Sequence, residues 1–232
     1  MARLRVLGVV SFFSAKPARG QASAGPVVPH HHEVLDAPLQ GPWGENTEVL
    51  YVAMGCFWGA ERLYWSLPGV VSTAVGYMGG QTPNPTYRDV CTGRTGHTES
   101  AQVVYDPDVI SAAELLKVFW ENHDPTTRNR QGNDIGTQYR SAIYWTSEEQ
   151  GEAAHSTRAA FQQVLSEHGH GAITTELAPV ETAGEFHYAE AEHQQYLHKH
   201  PRGYCNHGPN GLTCPIGVLR QDELPAQRDI TG

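Results

Sequence analysis

The sequence predicts an α+β fold in which helices pack on a mixed sheet. Short runs rich in β-branched residues alternate with segments of helical apolar spacing, and the strands look short and their connections irregular. The chain has 232 residues and 39% apolar content, enough for one domain with an extension. We divide it into an extension and linker at 1–47, a folded domain at 48–217 and a C-terminal tail at 218–232.

The first 24 residues carry arginine and lysine but no acid, with a short apolar stretch at 6–15. This composition is typical of a mitochondrial transit peptide. A secretory signal is a rival interpretation, since Ala22-Ser23-Ala24 resembles a cleavage site. A third alternative is a disordered tail with no targeting signal, which would leave the protein in the cytoplasm. The prolines and the run His30-His31-His32 that follow predict a linker with its histidines in solvent.

The folded domain is expected to begin near Glu48 and to alternate strands with helices. The predicted strands are 49–54, 70–77, 97–105, 139–145 and 173–180, and the predicted helices are 60–67, 87–91, 111–122, 147–168 and 189–200. Two helix starts have capping-box residues, Ser111 with Glu114 and Ser147 with Gln150. The polar loop at 125–138 lies between two clear elements, and loops of this kind often carry function.

Cys56 is the first candidate for chemistry, because Gly55-Cys56-Phe57-Trp58-Gly59 joins a predicted strand to a predicted helix. A cysteine at a helix N-terminus faces unpaired N–H groups that favour the thiolate, so it is a candidate nucleophile. The glycines permit close approach of a substrate, and the rings of Phe57 and Trp58 could wall an apolar pocket. The alternative is a buried structural cysteine.

Glu99 is a candidate acid because of its place in a strand. Alternation puts Glu99 on the same face as Ala101, Val103 and Tyr105. Desolvation on such a face would raise the pKa of the carboxyl and let it keep a proton near neutrality, as a general acid must. The alternative is a strand-end glutamate in water.

Two cysteines in the glycine-rich segment at 203–214 indicate the reaction class. A cysteine hydrolase needs one thiol, whereas a redox cycle uses more: a sulfenic acid on Cys56 can condense with one mobile thiol, and a second can carry the disulfide to an external reductant. Cys205, Cys214 and His207, with nearby histidines, could instead hold zinc, but Cys-x-x-Cys pairs are missing. Cys91 is interpreted as a small core residue.

Charge and composition exclude several classes of protein. The formal net charge of −9 argues against nucleic acid as a partner. Four scattered cysteines do not form a disulfide scaffold and fit a reducing compartment. No apolar run approaches the ~18 residues of a membrane span.

Six motifs, in order along the chain, closely resemble the A-type peptide methionine sulfoxide reductases over about residues 48–217. They are Gly-Cys-Phe-Trp-Gly at 55–59, Asn-Pro-Thr-Tyr at 84–87, Thr-Gly-His-Thr-Glu at 95–99, Phe-Trp-Glu-Asn-His-Asp-Pro at 119–125, Arg-Gln-Gly-Asn-Asp-Ile-Gly-Thr-Gln-Tyr-Arg-Ser at 130–141 and His-Gln-Gln-Tyr-Leu at 193–197. The resemblance implies a two-layer α/β plait of the ferredoxin-like kind, decorated by long loops.

The resemblance also implies roles for individual residues. It makes Cys56 the nucleophile that attacks the sulfoxide sulfur, with Glu99 as the acid that protonates the sulfoxide oxygen. The remaining roles are a pocket for the S-methyl group (Phe57, Trp58), hydroxyls that bind the same oxygen (Tyr87, Tyr139), a polar residue that places substrate or water (Asp134), a first resolving thiol (Cys205) and a second one (Cys214).

The implied activity is the reduction of methionine S-sulfoxide, free or in proteins, with thioredoxin as the external reductant and no bound cofactor or metal. We expect a monomer that repairs oxidised proteins. Asn206-His207 and Pro209 depart from the glycine-rich hinge of the family, and they are expected to stiffen the segment that carries the resolving thiol. The alternative from another class is a zinc-stabilised interaction domain in which Cys56 is merely buried.

Overall fold

The computed structural model describes residues 26–216, and it confirms an α+β fold with a mixed sheet of six strands. The strands in chain order are β1 His31–His32, β2 Ala37–Pro38, β3 Glu48–Met54, β4 Val70–Met78, β5 Thr98–Tyr105, β6 Arg130–Gln131, β7 Asp134–Ile135, β8 Ser141–Trp145, β9 Glu176–Pro179 and β10 His187–Tyr188. The helices are α1 Phe57–Trp65, α2 Tyr87–Cys91, α3 Ala112–Glu121, α4 Glu148–Glu167, α5 Val180–Ala183 and α6 Tyr196–Lys199, with a 3-10 turn at Thr137–Tyr139.

The six-stranded sheet has the order β10-β4-β5-β3-β8-β9. Its neighbouring strands pair antiparallel, except that β9 runs parallel to β8. The register places Tyr77 of β4 opposite Glu99 of β5. The β1–β2 and β6–β7 pairs form separate ribbons.

The main core lies between one face of the sheet and helices α1, α3 and α4. Ala101, Val103 and Tyr105 all point into it, which confirms the alternation predicted for β5. Ser111 and Glu114 form the predicted capping box of α3. On α4 the box is only half formed: Ser147 accepts the N–H of Gln150 as predicted, but the Gln150 side chain accepts from Thr146 instead.

The segment before residue 48 is not a solvent-exposed linker where the structure describes it. His32 is fully buried, and its Nε2 lies 2.8 Å from Thr73 Oγ1 on β4. Leu39 is also fully buried, and Ser72 donates to Pro38 O at 2.9 Å. The prediction of histidines in solvent is therefore wrong for His32, because the β1–β2 ribbon packs beside β4 and gives the ring a buried partner.

The helix predicted at 189–200 is wrong over most of its length, since only α6 is helical. Gln195 has φ +46°, a left-handed conformation that a helix cannot contain. The Gln194 side chain bonds the backbone of Val75 on β4 through both of its polar atoms. These tertiary contacts override the helical spacing of the sequence.

The remaining elements differ from prediction mainly at their ends. Helix α1 begins at Phe57 rather than residue 60, and β9 is shorter than the predicted strand. Within residues 26–216, no helix is both long and apolar enough to cross a membrane. The proposed targeting segment at 1–24 and the tail at 218–232 lie outside the described residues.

Candidate active site

Cys56 lies in the turn between β3 and α1 and is the N-cap residue of the helix. Gly55 makes the turn with φ +98°, and a Cβ there would meet Gln131 Cβ at 2.5 Å, so the position requires glycine. The backbone N–H groups of Trp58 and Gly59 lie close enough to the Cys56 sulfur to favour its charged form, but the Cys56 side chain accepts no capping hydrogen bond. The helix start therefore faces this sulfur, as the sequence predicts.

The thiol of Cys56 is nevertheless not activated in the way that the sequence predicts. Only 6% of Cys56 is exposed, and burial raises the pKa of its thiol far above the ordinary value, with the nearby Glu99 and then Asp134 contributing in the same direction. The N–H groups of Trp58 and Gly59 oppose this rise without reversing it. The expectation of a lowered pKa is wrong, because desolvation in the folded chain outweighs the helix terminus.

Glu99 is buried on β5 next to this thiol, as its strand position predicts. Phe57 N–H donates to Glu99 Oε2 with an N to O distance of 3.0 Å. The pKa of Glu99 is raised to about 8, chiefly by burial. The Phe57 hydrogen bond opposes this rise, and the charge of Asp134 adds to it. The carboxyl group is thus mostly protonated at neutral pH and can donate a proton, which is the property required of a general acid.

Tyr87 and Tyr139 lie near this carboxyl group, one on α2 and one at the end of the 3-10 turn. Burial, followed by the charge of Glu99, raises the pKa of both phenols. Both are therefore neutral hydrogen-bond donors. Glu190 anchors the start of α2. Its carboxylate accepts hydrogen bonds from the backbone N–H of Tyr87 and from the hydroxyl of Tyr77, each at 2.8 Å.

An aromatic wall stands beside the thiol. The ring of Trp58 stacks on Tyr196 with centroids 3.9 Å apart, and its Nε1 donates to His193 Nδ1 at 3.3 Å. The His193 ring is 4.4 Å from the ring of Tyr87 and 5.5 Å from that of Phe57. This geometry agrees with the expected apolar pocket, and it adds His193 and Tyr196, which the sequence reasoning did not place there. Their only signal was the His-Gln-Gln-Tyr-Leu motif.

Asp134 lies on the short β7 strand and faces the C-terminal segment, defined here as residues 203–216. Tyr204 donates its hydroxyl to Asp134 Oδ1 at 3.1 Å, and Asn206 donates to Oδ2 at 2.7 Å. Asp134 is close enough to Cys56 and Glu99 for its charge to raise the pKa of both. The structure therefore brings Asp134 to the site and gives it partners from the C-terminal segment.

Cys205 lies against the first turns of α1. Arg62 donates to its sulfur at 3.1 Å, and a Cβ added to Gly59 would lie 3.0 Å from the same atom. The neighbouring His207 donates from Nε2 to Met54 O at 2.7 Å, and burial lowers its pKa to about 4, so the ring is neutral. The first expected resolving thiol is thus held near the helix start that carries Cys56.

Cys214 is not brought to this site. It is 1% exposed and belongs to the main core, with its sulfur 3.8 Å from Thr157 O on α4 and its N–H bonded to Glu121 on α3 at 2.8 Å. Burial raises the pKa of its thiol to about 12. Cys205 and Cys214 therefore contact different helices, and a disulfide between them requires the C-terminal segment to rearrange.

Cys91 is exposed, so the prediction that it is a core residue is wrong. It is the last residue of the short α2, where the buried position belongs to Val90. The zinc set proposed as an alternative is also not assembled. Cys205 faces Arg62 and His207 binds Met54 O, and among residues 26–216 no group of three or more His, Cys, Asp or Glu could hold a metal ion.

Comparison with known proteins gives a consistent result. The family model described as peptide methionine sulfoxide reductase matches residues 48–213. Peptide methionine sulfoxide reductase MsrA of Salinispora arenicola is 61% identical over 203 residues, which cover 87% of this chain and 90% of the relative. The MsrA 1 protein of Caulobacter vibrioides is 59% identical over 187 residues, covering 81% of this chain and 85% of the relative. These relatives are bacterial, which argues against a transit peptide.

Solved structures agree with the sequence comparisons. Methionine sulfoxide reductase A of Corynebacterium diphtheriae has a TM-score of 0.73 at 48% identity, covering 84% of this chain and 94% of that one. Reduced Mxr1 of Saccharomyces cerevisiae has a TM-score of 0.62 at 35% identity, covering 69% of this chain and 90% of that one.

Proposed function

Because this chain belongs to the peptide methionine sulfoxide reductase family, we propose how its own residues carry out the reaction. The chain is an oxidoreductase that reduces methionine sulfoxide to methionine. The observation that carries the proposal is the hydrogen bond from Phe57 N–H to Glu99 Oε2. It holds a buried, mostly protonated carboxyl group against the backbone of Phe57, the residue that directly follows the buried Cys56 in the chain.

In the first step, the Cys56 sulfur attacks the sulfoxide sulfur while Glu99 protonates the sulfoxide oxygen. The attack forms a bond between the two sulfurs. As the protonated oxygen then passes from the substrate sulfur to Cys56, the S–O bond of the substrate and the new S–S bond both break, and the products are methionine and a sulfenic acid. The proton that Cys56 loses replaces the one that Glu99 gives, so atoms and electrons balance. Protonation is needed because a bare oxide is a poor leaving group.

The surrounding side chains orient the substrate for this step. The hydroxyls of Tyr87 and Tyr139 donate to the sulfoxide oxygen, which their raised pKa values allow at neutral pH. Phe57 and Trp58 hold the S-methyl group in the apolar wall. Asp134 places the substrate or a water molecule, and its carboxylate accepts hydrogen bonds from Tyr204 and Asn206 of the C-terminal segment.

In the second step, the thiol of Cys205 condenses with the sulfenic acid, which releases water and forms a Cys56–Cys205 disulfide. Cys214 then attacks Cys205, frees Cys56 and forms a Cys205–Cys214 disulfide. Thioredoxin reduces that disulfide with its two thiols. The close approach of Cys205 to Gly59 supports formation of the Cys56–Cys205 disulfide. Formation of the Cys205–Cys214 disulfide is the step that requires a conformational change, because Cys214 is buried against α4.

Four further assignments complete the proposal. The substrate is the S epimer, free or in proteins, since separate enzymes serve the two epimers, and the protein acts as a monomer that repairs oxidised proteins. The strands β3, β4, β5 and β8 form a ferredoxin-like plait, supported by their antiparallel order β4-β5-β3-β8 and the chain order β-α-β-β-α-β. With the transit peptide disfavoured by its bacterial relatives, we place the protein in the cytoplasm.

The test is a single turnover of the reduced protein without any external reductant, using separate S and R epimers of a methionine sulfoxide peptide. We expect at least one methionine per chain from the S epimer. About two thiols should be lost for each methionine formed, because a sulfenic acid is resolved by a second thiol. Cys56→Ser should form none. Product from the R epimer alone, or no product with all thiols intact, would overturn the proposal.

A further inference from the structure

Glu61 is a fully buried carboxylate on α1 that the reaction described above does not use. Its Oε2 accepts the backbone N–H of Gln195 at 2.9 Å, and its Oε1 accepts Gln195 Nε2 at 2.7 Å and the hydroxyl of Thr73 at 3.3 Å. Burial raises the pKa of Glu61 to about 7, and these three donors oppose the rise. A buried carboxylate is costly unless donors surround it, so this arrangement is a specific one.

The contact with Gln195 fixes a segment that has no regular structure of its own. Gln195 has φ +46°, which residues other than glycine rarely adopt, and both of its Glu61 contacts hold it there. The preceding Gln194 is tied to the backbone of Val75. One residue earlier, His193 forms part of the aromatic wall against Trp58 and Tyr87. The wall thus depends on anchors at residues 194 and 195.

The residues before β3 fix the direction of the hydrogen bond between Thr73 and Glu61. His32 Nδ1 accepts the N–H groups of Val34 and Leu35, so the proton must be on Nε2, which donates to Thr73 Oγ1. The Thr73 hydroxyl is then free to donate only to Glu61. All groups facing Glu61 are donors, and a carboxylate satisfies them while an amide does not.

We propose that Glu61 is a positioning residue of the substrate pocket, which holds His193 against Trp58 and Tyr87 by way of Gln195. His32 and Thr73 support it by keeping one donor aimed at its carboxylate. The inference rests on the proposed role of the aromatic wall in binding the S-methyl group. Because such a wall contacts the methyl group before and during the reaction, weakening it lowers affinity and leaves the chemical step intact.

The variant Glu61→Gln tests this proposal, because it places an amide N–H₂ group against the Gln195 and Thr73 donors that the carboxylate accepts. The measurement is the single-turnover rate of an S-sulfoxide peptide at increasing peptide concentration. We expect the half-saturating concentration to rise roughly tenfold while the maximal rate changes less than about twofold, as for a loss of uniform binding. Gln195→Ala should act in the same direction, and the double variant should show less than the combined effect, because both remove the same contact.

Glu48→Gln is a matched control. The Glu48 carboxylate likewise binds a hydroxyl and a glutamine amide, from Tyr105 at 2.6 Å and Gln150 at 2.9 Å, and it lies at the opposite end of β3 from Cys56. If Glu61 matters only for folding, both variants lower the urea midpoint and neither changes the half-saturating concentration. We expect only Glu61→Gln to change it.

An unchanged half-saturating concentration in both Glu61→Gln and Gln195→Ala would overturn the inference, as would a fall in the maximal rate alone. Should Glu61→Gln not fold, Gln195→Ala alone decides by the same criteria. These outcomes differ from a failure of the proposed function, in which the unchanged protein and Glu48→Gln would themselves form no methionine from the S epimer.

Discussion

Burial raises the proton affinity of both groups that we propose to act on the substrate. The Cys56 thiol and the Glu99 carboxyl are each nearly inaccessible to water, and each has a raised pKa for that reason. A protonated thiol reacts slowly with general oxidants, whereas a protonated carboxyl is ready to donate. The resting site is therefore poorly reactive until a sulfoxide oxygen accepts the proton of Glu99.

Glu99→Gln should reduce the single-turnover rate by about 100-fold or more, because an amide can hydrogen-bond the sulfoxide oxygen but cannot transfer a proton. The half-saturating peptide concentration should change little. In the unchanged protein, Glu99 is protonated below its pKa of about 8, so the rate should be retained below pH 8 and fall as the pH rises through that value. Stopped mixing followed by quantification of methionine measures both effects.

Asp124→Asn is a suitable control for the loss of a carboxylate, since among residues 26–216 the Asp124 carboxylate accepts hydrogen bonds only from Thr126. It should leave the rate and its pH dependence unchanged. A rate for Glu99→Gln equal to that of the unchanged protein would show that Glu99 is not the acid.

At the level of residues, local patterns were enough to find the reacting groups but not to describe them fully. The glycines around Cys56 and the alternation that includes Glu99 are readable from a few neighbours in sequence. The direction of the Cys56 pKa shift is not, because it depends on burial in the folded chain and on the charges of Glu99 and Asp134, which are distant in sequence. Glu61 and His193 were missed for the same reason. Glu61 binds Gln195 and His193 binds Trp58, and each pair is separated by more than 100 residues in the sequence.

Among the structural elements, the C-terminal segment is the one that carries both proposed resolving thiols. His207 binds Met54 O beside the turn of Cys56, and Asn210 donates to the carbonyls of Trp120 and His123 at 2.8 and 2.9 Å. These bonds connect the segment to the turn of Cys56 and to the end of α3, and the stiffening expected from the departure from a glycine-rich hinge stays a prediction. Cys205 is carried to α1 by this docking.

Gly59→Ala should slow the resolution of the sulfenic acid. An added Cβ would overlap the His207 ring and press on the Cys205 sulfur, so the segment could not dock as it does here. Gly208→Ala is the matched control, because a Cβ there meets nothing within 4 Å. Trapping of sulfenic acid with a dimedone reagent after one turnover measures the difference: the trapped fraction should rise severalfold for Gly59→Ala only. Equal trapping in both variants would contradict this role of the docked segment.

Elements with their own start signals were predicted well, and those held by tertiary contacts were not. Helices α3 and α4 begin at capping serines, and both were found within about one residue. The segment before α6 has helical spacing, but Gln194 and Gln195 bind β4 and Glu61 instead of continuing a helix. The buried ribbon at His32 was missed because proline-rich sequence gives no sign of the surface on which it packs.

Over the whole molecule, the two cysteines that we propose as resolving thiols lie apart. Cys205 lies against α1, while Cys214 lies between α3 and α4 in the core that holds the helices to the sheet. This separation lets the first disulfide form without movement of Cys214, and it couples the second exchange to release of the C-terminal segment. The family resemblance supplied the order of the thiols, but only the fold shows that they start from different places.

The most direct test of this sequence of events uses Cys214→Ala, which stops the cycle after the first disulfide. The reduced variant would be mixed with an S-sulfoxide peptide, digested under acid conditions and mapped by mass spectrometry. We expect about one methionine per chain and a disulfide that joins Cys56 to Cys205. Methionine formed with Cys56 joined to the exposed Cys91, or with Cys205 left as a free thiol, would contradict the proposed relay.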